Sequence, residues 1–273
     1  MNTEIIVMWA AVTLYALSAV GLIVGYVFRK PTLVTASLFV VAVGLAVHAG
    51  AIGVRWVRVG HGPYLGFYEV VSSFAFVSAL VFLVLAWRSK GFRIVGTVLM
   101  PLSFLAMGAA MMAPTADMDL TGTLASYWLG IHVAFAKLAY GSFITSFAFA
   151  VMYIALSRRP GDPEASESKL LRFDDLTFKF LAAGFIFLGI MIVAGAIWAN
   201  EAWGRYWGWD PIETWSLISW FCYAIAIHLR VTMGWREKRF AWAAIVPLPV
   251  VLFALLGVAI VYQSVHGAYL TGT

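Results

Sequence analysis

The five histidines of this chain are its best candidates for metal or haem ligation, because a neutral imidazole is a leading ligand for both. His132 lies near the start of one apolar stretch, and His266 lies just beyond the end of another. His228 lies inside an apolar stretch, where an ionisable side chain is costly and is therefore a candidate functional residue. Each histidine taken alone also has a structural interpretation, namely a hydrogen bond to water or to a carbonyl oxygen.

A tryptophan-rich stretch accompanies these histidines. Six of the 12 tryptophans lie between Trp198 and Trp220, with Gly204 and Gly208 interleaved. Tryptophan is ordinary at a membrane boundary, since indole has an apolar body and one N–H donor, but six in one stretch exceed what such a belt supplies. The pattern favours flat aromatic faces, with glycines where a planar ligand approaches the backbone.

The end of this stretch predicts a helix start. Asp210 occupies an N-cap position, Pro211 follows it, and Glu213 stands at the third helical position, which is the pattern of a capping box. Both carboxylates also favour the positive end of the helix dipole. Asp210 and Glu213 therefore have a structural explanation, and a ligand contact of Asp210 remains open beside it.

Composition places the elements that carry these residues in a membrane. The chain has 273 residues, of which 63% are hydrophobic and 11% charged, as in integral membrane proteins. The single cysteine, Cys222, excludes an intrachain disulfide and a C-x-x-C-H haem attachment site. We predict one all-α integral-membrane domain, residues 1–273, with about eight spans. These spans are predicted at roughly 5–27, 33–53, 69–87, 93–113, 129–156, 179–199, 213–233 and 240–262.

The distribution of positive charge predicts the orientation of the spans. Fourteen Lys and Arg residues lie in or beside the connections 1–2, 3–4, 5–6 and 7–8, whereas three, Arg55, Arg58 and Arg205, lie on the opposite side. This asymmetry places the four basic connections in the cytoplasm and argues against nucleic acid as their partner. Both termini and the tryptophan-rich stretch are then expected on the outer face. The polar connection from Arg158 to Lys179 is interpreted as a solvated linker.

Two histidines and the tryptophan-rich stretch fall at the same predicted outer boundary. His132, His266 and the tryptophans come from separate parts of the chain, which is the arrangement that a bis-histidine haem site requires. His228 follows Asp210 by 18 residues, or about 27 Å along a helix, so it cannot share a ligand with the outer pair. It is either a buried, hydrogen-bonded histidine or part of a second, deeper haem or metal site.

The remaining polar residues have structural roles as their first interpretation. His48 is expected to pack or to hydrogen-bond within span two, and His61 is expected to be exposed in the following loop. Lys137 is expected to reach the outer interface or to pair with a haem propionate. Arg205 is the better propionate partner, because arginine binds carboxylates in a bidentate manner. Arg55 and Arg58 are loop charges or additional propionate candidates, and Glu69 is expected to be an acid in the first turn of span three.

The sequence WGRYWGWDPIETW over residues 203–215 closely resembles the tryptophan-rich WWD motif of the cytochrome c assembly family of haem-handling membrane proteins. Its D-P-x-E-T-W ending is similar to that of the CcsA (ResC) branch, the membrane subunit of the System II cytochrome c synthase. The resemblance extends over essentially the whole chain, from the eight spans to the histidines around the motif. Residues 63–69 resemble the family's outer loop before span three, except that Gly66 replaces a usual Asn.

The resemblance implies roles for individual residues. His132 and His266 match the external histidines that ligate haem iron over the WWD platform, and His228 matches the transmembrane histidine that ligates haem on its way outward. The platform and its surroundings, called here the WWD loop (about residues 198–215), would contribute Trp203, Arg205, Trp207, Trp209, Asp210 and Trp215. Haem b would be the ligand and substrate, and the chain would supply no catalytic residue beyond those that position haem.

The implied function is cytochrome c biogenesis in the bacterial cytoplasmic (inner) membrane, with the active face outward. Haem would be delivered to that face and, with a ResB/CcsB-like membrane partner, attached to the C-x-x-C-H segment of apocytochrome c, which would make the chain a subunit of a holocytochrome c synthase. The alternative is a haem carrier or exporter of the CcmC-like type without a lyase role. A b-type electron-transfer cytochrome is disfavoured because it usually needs two in-chain histidines at each haem depth.

Overall fold

The structure, a computed structural model, describes residues 3–115, 117, 122–159, 161 and 166–262. These residues form eight helices that are long and apolar enough to cross a membrane, and the described part of the chain contains no strand. The all-α multi-pass prediction is therefore confirmed. The helices are α1 (Thr3–Val27), α2 (Pro31–Val59), α3 (Gly66–Arg88), α4 (Lys90–Met112), α5 (Tyr127–Ser157), α6 (Glu167–Trp203), α7 (Pro211–Val231) and α8 (Glu237–Gly257).

The helices group into two compact units. Unit 1, Met1–Met118, contains α1 to α4, and unit 2, Asp119–Thr273, contains α5 to α8. In unit 1, α1 and α3 each pack against both α2 and α4. In unit 2, α5 and α7 each pack against both α6 and α8.

Proline and glycine set the helix ends. Pro31 and Pro211 begin α2 and α7, because proline has no N–H group to leave unpaired in a first turn. Gly60 and Gly204 follow α2 and α6 in the left-handed conformation, at φ 78° and 71°, where a Cβ would be strained. The connection that carries the WWD motif is consequently short and begins and ends sharply.

Small residues bring α5 and α6 close together in unit 2. A Cβ at Gly184 would lie 2.6 Å from the Phe143 ring, and one at Gly195 would lie 2.6 Å from Nδ1 of His132. Both glycines are on α6 and both large side chains are on α5. Close approach of this kind stabilises helix pairs in lipid, where burying apolar surface gives little driving force.

The predicted solvated linker from Arg158 to Lys179 is wrong over much of its length. α6 already begins at Glu167, and Phe173, Thr177 and Leu181 are buried. Their spacing of four residues puts them on one helical face, which packs although the opposite face is polar. The charges that suggested a linker lie mostly on that exposed face.

Candidate functional site

The WWD loop is fastened to the first turn of α7. Asp210 caps the helix, because its Oδ1 accepts a hydrogen bond of 3.0 Å from the Ile212 N–H. Glu213 reaches back, and its Oε2 accepts from the N–H groups of Asp210 at 3.1 Å and Gly208 at 2.8 Å. The predicted capping box is confirmed, and it orders the loop from Gly208 onward. A ligand contact of Asp210 stays a prediction.

The tryptophans of the loop do not lie in a common plane. The rings of Trp207 and Trp209 stand at 88° with centroids 5.8 Å apart, and those of Trp198 and Trp203 stand at 64° and 5.0 Å. Trp215 packs edge-on against Phe253 of α8 at 4.7 Å. Edge-to-face contacts are the favoured geometry between aromatic rings. The loop thus presents several differently tilted faces, of which that of Trp209 is the most exposed.

Trp209 is held in an unfavourable backbone conformation. Its φ is 56°, in the left-handed region that a bulky residue rarely adopts, and its side chain is 70% exposed. Such a conformation costs about 1–3 kcal/mol and persists only where the surroundings impose it. The hydrogen bonds of Glu213 on either side, to Gly208 and Asp210, provide that constraint, so the exposed indole is presented from a fixed backbone.

Arg205 lies in the loop as an exposed cation. Its guanidinium rests against Gly208, where a Cβ would come within 2.6 Å of Cζ. Glycine at position 208 therefore leaves room for the arginine beside the tryptophans. An exposed guanidinium at this position can bind a carboxylate in a bidentate manner.

His132 is oriented by the backbone of α6. Its Nδ1 lies 2.9 Å from the carbonyl oxygen of Met191, and the ring covers Gly195. A carbonyl oxygen only accepts hydrogen bonds, so Nδ1 carries a proton and, in the neutral ring, Nε2 carries the lone pair. Histidines that bind metals are typically held in this way by a hydrogen bond from the other ring nitrogen. His132 is half-buried, as is Lys137 in the following turns of α5.

The start of α5 is tied to the end of α6 beside the WWD loop. Ser126 caps α5 by accepting from the Trp128 N–H at 3.1 Å, and its hydroxyl donates to Glu201 Oε2 at 2.6 Å. His132 thus lies in the same end of unit 2 as the loop, in agreement with the prediction. His266 lies outside the described residues, and its role stays a prediction.

His228 is exposed on α7, so its interpretation as a buried histidine is wrong. It makes no side-chain hydrogen bond to any other residue that the structure describes. Its helix is packed on one side only, through Ser219, Tyr223, Ala226 and Arg230. The imidazole therefore faces away from the core of unit 2.

The histidines of unit 1 have structural environments. His48 is buried, with Nδ1 3.2 Å from the Tyr15 hydroxyl and its ring edge-on to Phe76, which confirms the expectation of packing and hydrogen bonding. His61 was expected to be exposed, and this is wrong, because it is only 2% exposed. Its Nδ1 lies 2.8 Å from the Gly62 carbonyl and 3.7 Å from Glu69. The loop folds inward onto a charged cluster.

That cluster contains Arg55 and Arg58, for which the sequence left open whether they are loop charges or propionate partners. Arg55 donates to Glu69 at 2.6 Å and to Glu4 at 2.9 Å, and all three side chains are nearly fully buried. Glu69 also accepts from the Leu65 N–H at 3.1 Å, so its structural interpretation is confirmed. Arg55 is therefore part of an internal ion-pair cluster and is not a simple loop charge. Its contacts give no support for a propionate contact.

Arg58 extends the cluster to the segment that follows α4. It pairs with Glu4 at 3.0 Å and with both carboxylate oxygens of Asp117. The hydrogen bonds of Arg58 hold the pKa of Asp117 below its ordinary value. Among the described residues, no group of three His, Cys, Asp or Glu side chains is arranged to hold a metal ion.

A second buried ion pair was missed by sequence reasoning. Asp174 and Arg230 pair at 2.7 Å and are almost fully buried, although the sequence predicts a solvated linker around Asp174 and counts Arg230 among the fourteen basic residues of the cytoplasmic connections. The signal available in the sequence was the four-residue spacing of Phe173, Thr177 and Leu181, which the structure shows to be the buried face of α6.

Comparisons with known proteins agree on one family. A family model described as Cytochrome C assembly protein matches residues 64–266. Proteins named cytochrome c biogenesis protein CcsA are similar to this chain: that of Chlamydomonas reinhardtii is 33% identical over 78% of this chain and 62% of its own length. Those of Trieres chinensis and Prochlorococcus marinus (strain NATL2A) are 30% and 31% identical, covering 79% and 84% of this chain and 80% and 83% of their own lengths.

A solved structure shares the fold. The cytochrome c heme lyase CcmF superposes with a TM-score of 0.68 at 18% identity, over 94% of this chain and 49% of the lyase chain. This chain therefore spans about half the length of that lyase, and its match spans less than two thirds of the Chlamydomonas protein.

Proposed function

This chain belongs to the cytochrome c assembly family, and we propose that its part in cytochrome c assembly is to bind haem and present it at the WWD loop for attachment to apocytochrome c. The single observation that carries this proposal is the orientation of His132. Its Nδ1 donates to a backbone carbonyl, at the end of unit 2 that bears the WWD loop with the exposed Trp209. A histidine held in this way is prepared to offer Nε2 to haem iron.

The WWD loop supplies further contacts in this proposal. Trp203, Trp207, Trp209 and Trp215 would contact the porphyrin, with the exposed face of Trp209 as the principal surface. Arg205 would bind a propionate, since its guanidinium is exposed beside these rings. His266 would supply the second axial ligand opposite His132.

His228 would form the inner haem site. An imidazole exposed on a membrane-spanning helix is costly unless something polar covers it, and the described part of this chain provides no such group. We propose that a ResB/CcsB-like membrane protein packs against this face and supplies the second ligand. Haem b would enter here and move towards the WWD loop, about 27 Å along α7.

The proposed chemistry needs positioning more than acid or base groups. Each cysteine thiol of the apocytochrome C-x-x-C-H segment adds across a haem vinyl group, with sulfur bonding one carbon and hydrogen the other, so no oxidant is required. The histidine of that segment replaces one of the chain's two axial ligands. Holding haem and peptide together lowers the barrier through proximity, and axial ligation sets the iron potential. The chain would act as one subunit of a holocytochrome c synthase.

We place the WWD loop on the outer face of the bacterial cytoplasmic membrane. The support is the asymmetry of charge, since fourteen basic residues lie in or beside the four opposite connections. Reporter fusions to either terminus measure this orientation directly.

The test is the absorption spectrum of the chain co-expressed with a ResB-like partner and purified from membranes. We expect copurified low-spin haem in the wild type. His132→Ala and His266→Ala should each lose the outer-site part of this haem spectrum and should also lose cytochrome c maturation. Added imidazole should partly restore maturation in these variants. His61→Gln, in unit 1, is the matched histidine control and should retain haem. Normal maturation in the double variant would contradict the proposal, and haem binding without any effect on maturation would favour a CcmC-like carrier.

A further inference from the structure

A buried ion pair joins three helices of unit 2 at the end opposite the WWD loop. Asp174 of α6 and Arg230 of α7 pair at 2.7 Å and are 7% and 4% exposed. Asp174 also accepts a hydrogen bond from the Glu237 N–H, where α8 begins, at 2.8 Å. Arg230 donates in addition to the Trp235 carbonyl oxygen at 3.2 Å. The pair therefore fixes the ends of α6, α7 and α8 relative to each other.

Aromatic rings enclose the arginine of this pair. The Arg230 guanidinium lies 4.7 Å from the centroid of Phe240 and 5.4 Å from that of Phe178, within the range of cation–π attraction. Replacing a buried ion pair by apolar residues is often neutral for stability, so its better attested use is to specify one arrangement among several. The arrangement at stake here is the rotation of α7.

The rotation of α7 decides where His228 points. The buried residues of α7 form a single stripe, which consists of Ser216, Ser219, Tyr223, Ala226 and Arg230. Successive residues turn by about 100° around a helix, so His228 lies about 200° from Arg230, on the opposite side. Holding Arg230 against Asp174 therefore directs His228 away from the core.

The ion pair is the anchor nearest to His228. The other strong contact of the stripe is the stacking of Tyr223 on Phe143, with ring centroids 3.6 Å apart and planes at 4°. Tyr223 lies five residues before His228, on the side of the WWD loop, whereas Arg230 lies two residues beyond it. Without the pair, the strong contact left to orient the last turns of α7 would be the Tyr223 stack, which precedes His228.

We propose that Asp174 and Arg230 are positioning residues that turn His228 towards a ligand or partner outside unit 2. The role of His228 as a haem ligand rests on the proposed function, but the rotation itself does not. Asp174 and Arg230 touch neither haem nor peptide in this proposal, and they act through the orientation of α7.

Cysteine labelling tests the rotation independently of haem. In a Cys222→Ala background, single substitutions Ile225→Cys, Ala226→Cys and His228→Cys are labelled with a membrane-permeant maleimide in the detergent-solubilised full chain. Ile225 is 59% exposed and Ala226 is 2% exposed, so positions 225 and 228 should label and position 226 should not. Adding Asp174→Asn should lower the labelling at 228 and raise it at 226, so that this contrast is lost.

The neighbouring residue provides the matched control. Asp175 is 51% exposed and pairs with Lys179 on the surface of the same helix, so Asp175→Asn should leave the labelling pattern unchanged. Where Asp174→Asn does not accumulate, Arg230→Lys replaces it, because lysine keeps the charge but cannot reproduce the fork of the guanidinium. An unchanged contrast between positions 226 and 228 in either variant would overturn the positioning role.

A haem readout separates this inference from the proposed function. In the complex with a ResB-like partner, Asp174→Asn with His228 intact should shift or weaken the inner low-spin haem spectrum, and His228→Ala should abolish it. A spectrum unaffected by His228→Ala would overturn the inner haem site, whereas the labelling pattern would still decide whether the ion pair orients α7.

Discussion

The close contact of His132 with α6 provides a quantitative test of the proposed haem site through Gly195→Ala. A Cβ at Gly195 would lie 2.6 Å from His132 Nδ1 and 2.9 Å from Cε1. Ordinary contact begins near 3.4 Å, so the imidazole must retreat by about 0.8 Å, the difference between 3.4 and 2.6 Å. The retreat would break or stretch the 2.9 Å hydrogen bond to the Met191 carbonyl.

The cost of this substitution has two parts. Overpacking costs about 1–3 kcal/mol, and loss of the hydrogen bond costs about 0.5–1.5 kcal/mol. We therefore expect lower thermal stability in detergent, together with a changed axial-ligand signature in the visible and electron paramagnetic resonance spectra of copurified haem. The second effect arises because the carbonyl would no longer fix the ring orientation and the tautomer.

Gly184→Ala is the matched control for this experiment. It lies on the same helix and makes a clash of the same size, 2.6 Å, but with the ring of Phe143. It should lose stability without changing the spectrum of the outer haem, because Phe143 stacks on Tyr223 of α7 and does not hold His132. The reasoning would be refuted if Gly195→Ala kept the wild-type spectrum and haem content, or if both variants changed the spectrum equally.

Two further predictions concern the charged cluster of unit 1. Arg55→Ala would leave Glu69 buried without its arginine, whereas Glu4 would keep Arg58. The substitution should lower the free energy of unfolding by about 3–5 kcal/mol, against less than about 1 kcal/mol for Lys179→Ala, whose ion pair is exposed; denaturant titration measures both, and equal losses would argue against the cluster. Asp117, whose pKa Arg58 holds below the ordinary 3.8, stabilises the fold fully above that value and loses this contribution as pH falls through the lower folded-state pKa. The melting temperature of the wild type should therefore fall more steeply below about pH 4 than that of Asp117→Asn, and parallel curves would disprove the link.

The sequence by itself determined the features that depend on neighbouring residues. Eight apolar stretches predicted eight helices, because a span is recognised from its own length and hydropathy. Asp210, Pro211 and Glu213 predicted the capping box, since all its hydrogen bonds join residues within one turn. The tryptophan-rich motif likewise indicated the family, because its residues are contiguous in the chain.

Tertiary structure decided the features that depend on distant residues. Nothing near His61 in the sequence indicates that its loop folds inward onto Glu69, so it was expected to be exposed. Asp174 and Arg230 are 56 residues apart. Their charge predicts exposure to solvent, and the packing of α6 against α7 buries them as a pair instead.

The same distinction applies within the candidate site. Sequence singled out His132 as a ligand candidate, but the tautomer it presents depends on a carbonyl oxygen 59 residues away. Sequence left the burial of His228 open, and its exposure was settled by which face of α7 packs against the neighbouring helices. Residue types and local spacing therefore identified the candidate haem-binding groups. The direction and exposure of those that the structure describes followed from helix packing, which joins residues that no short window of sequence contains.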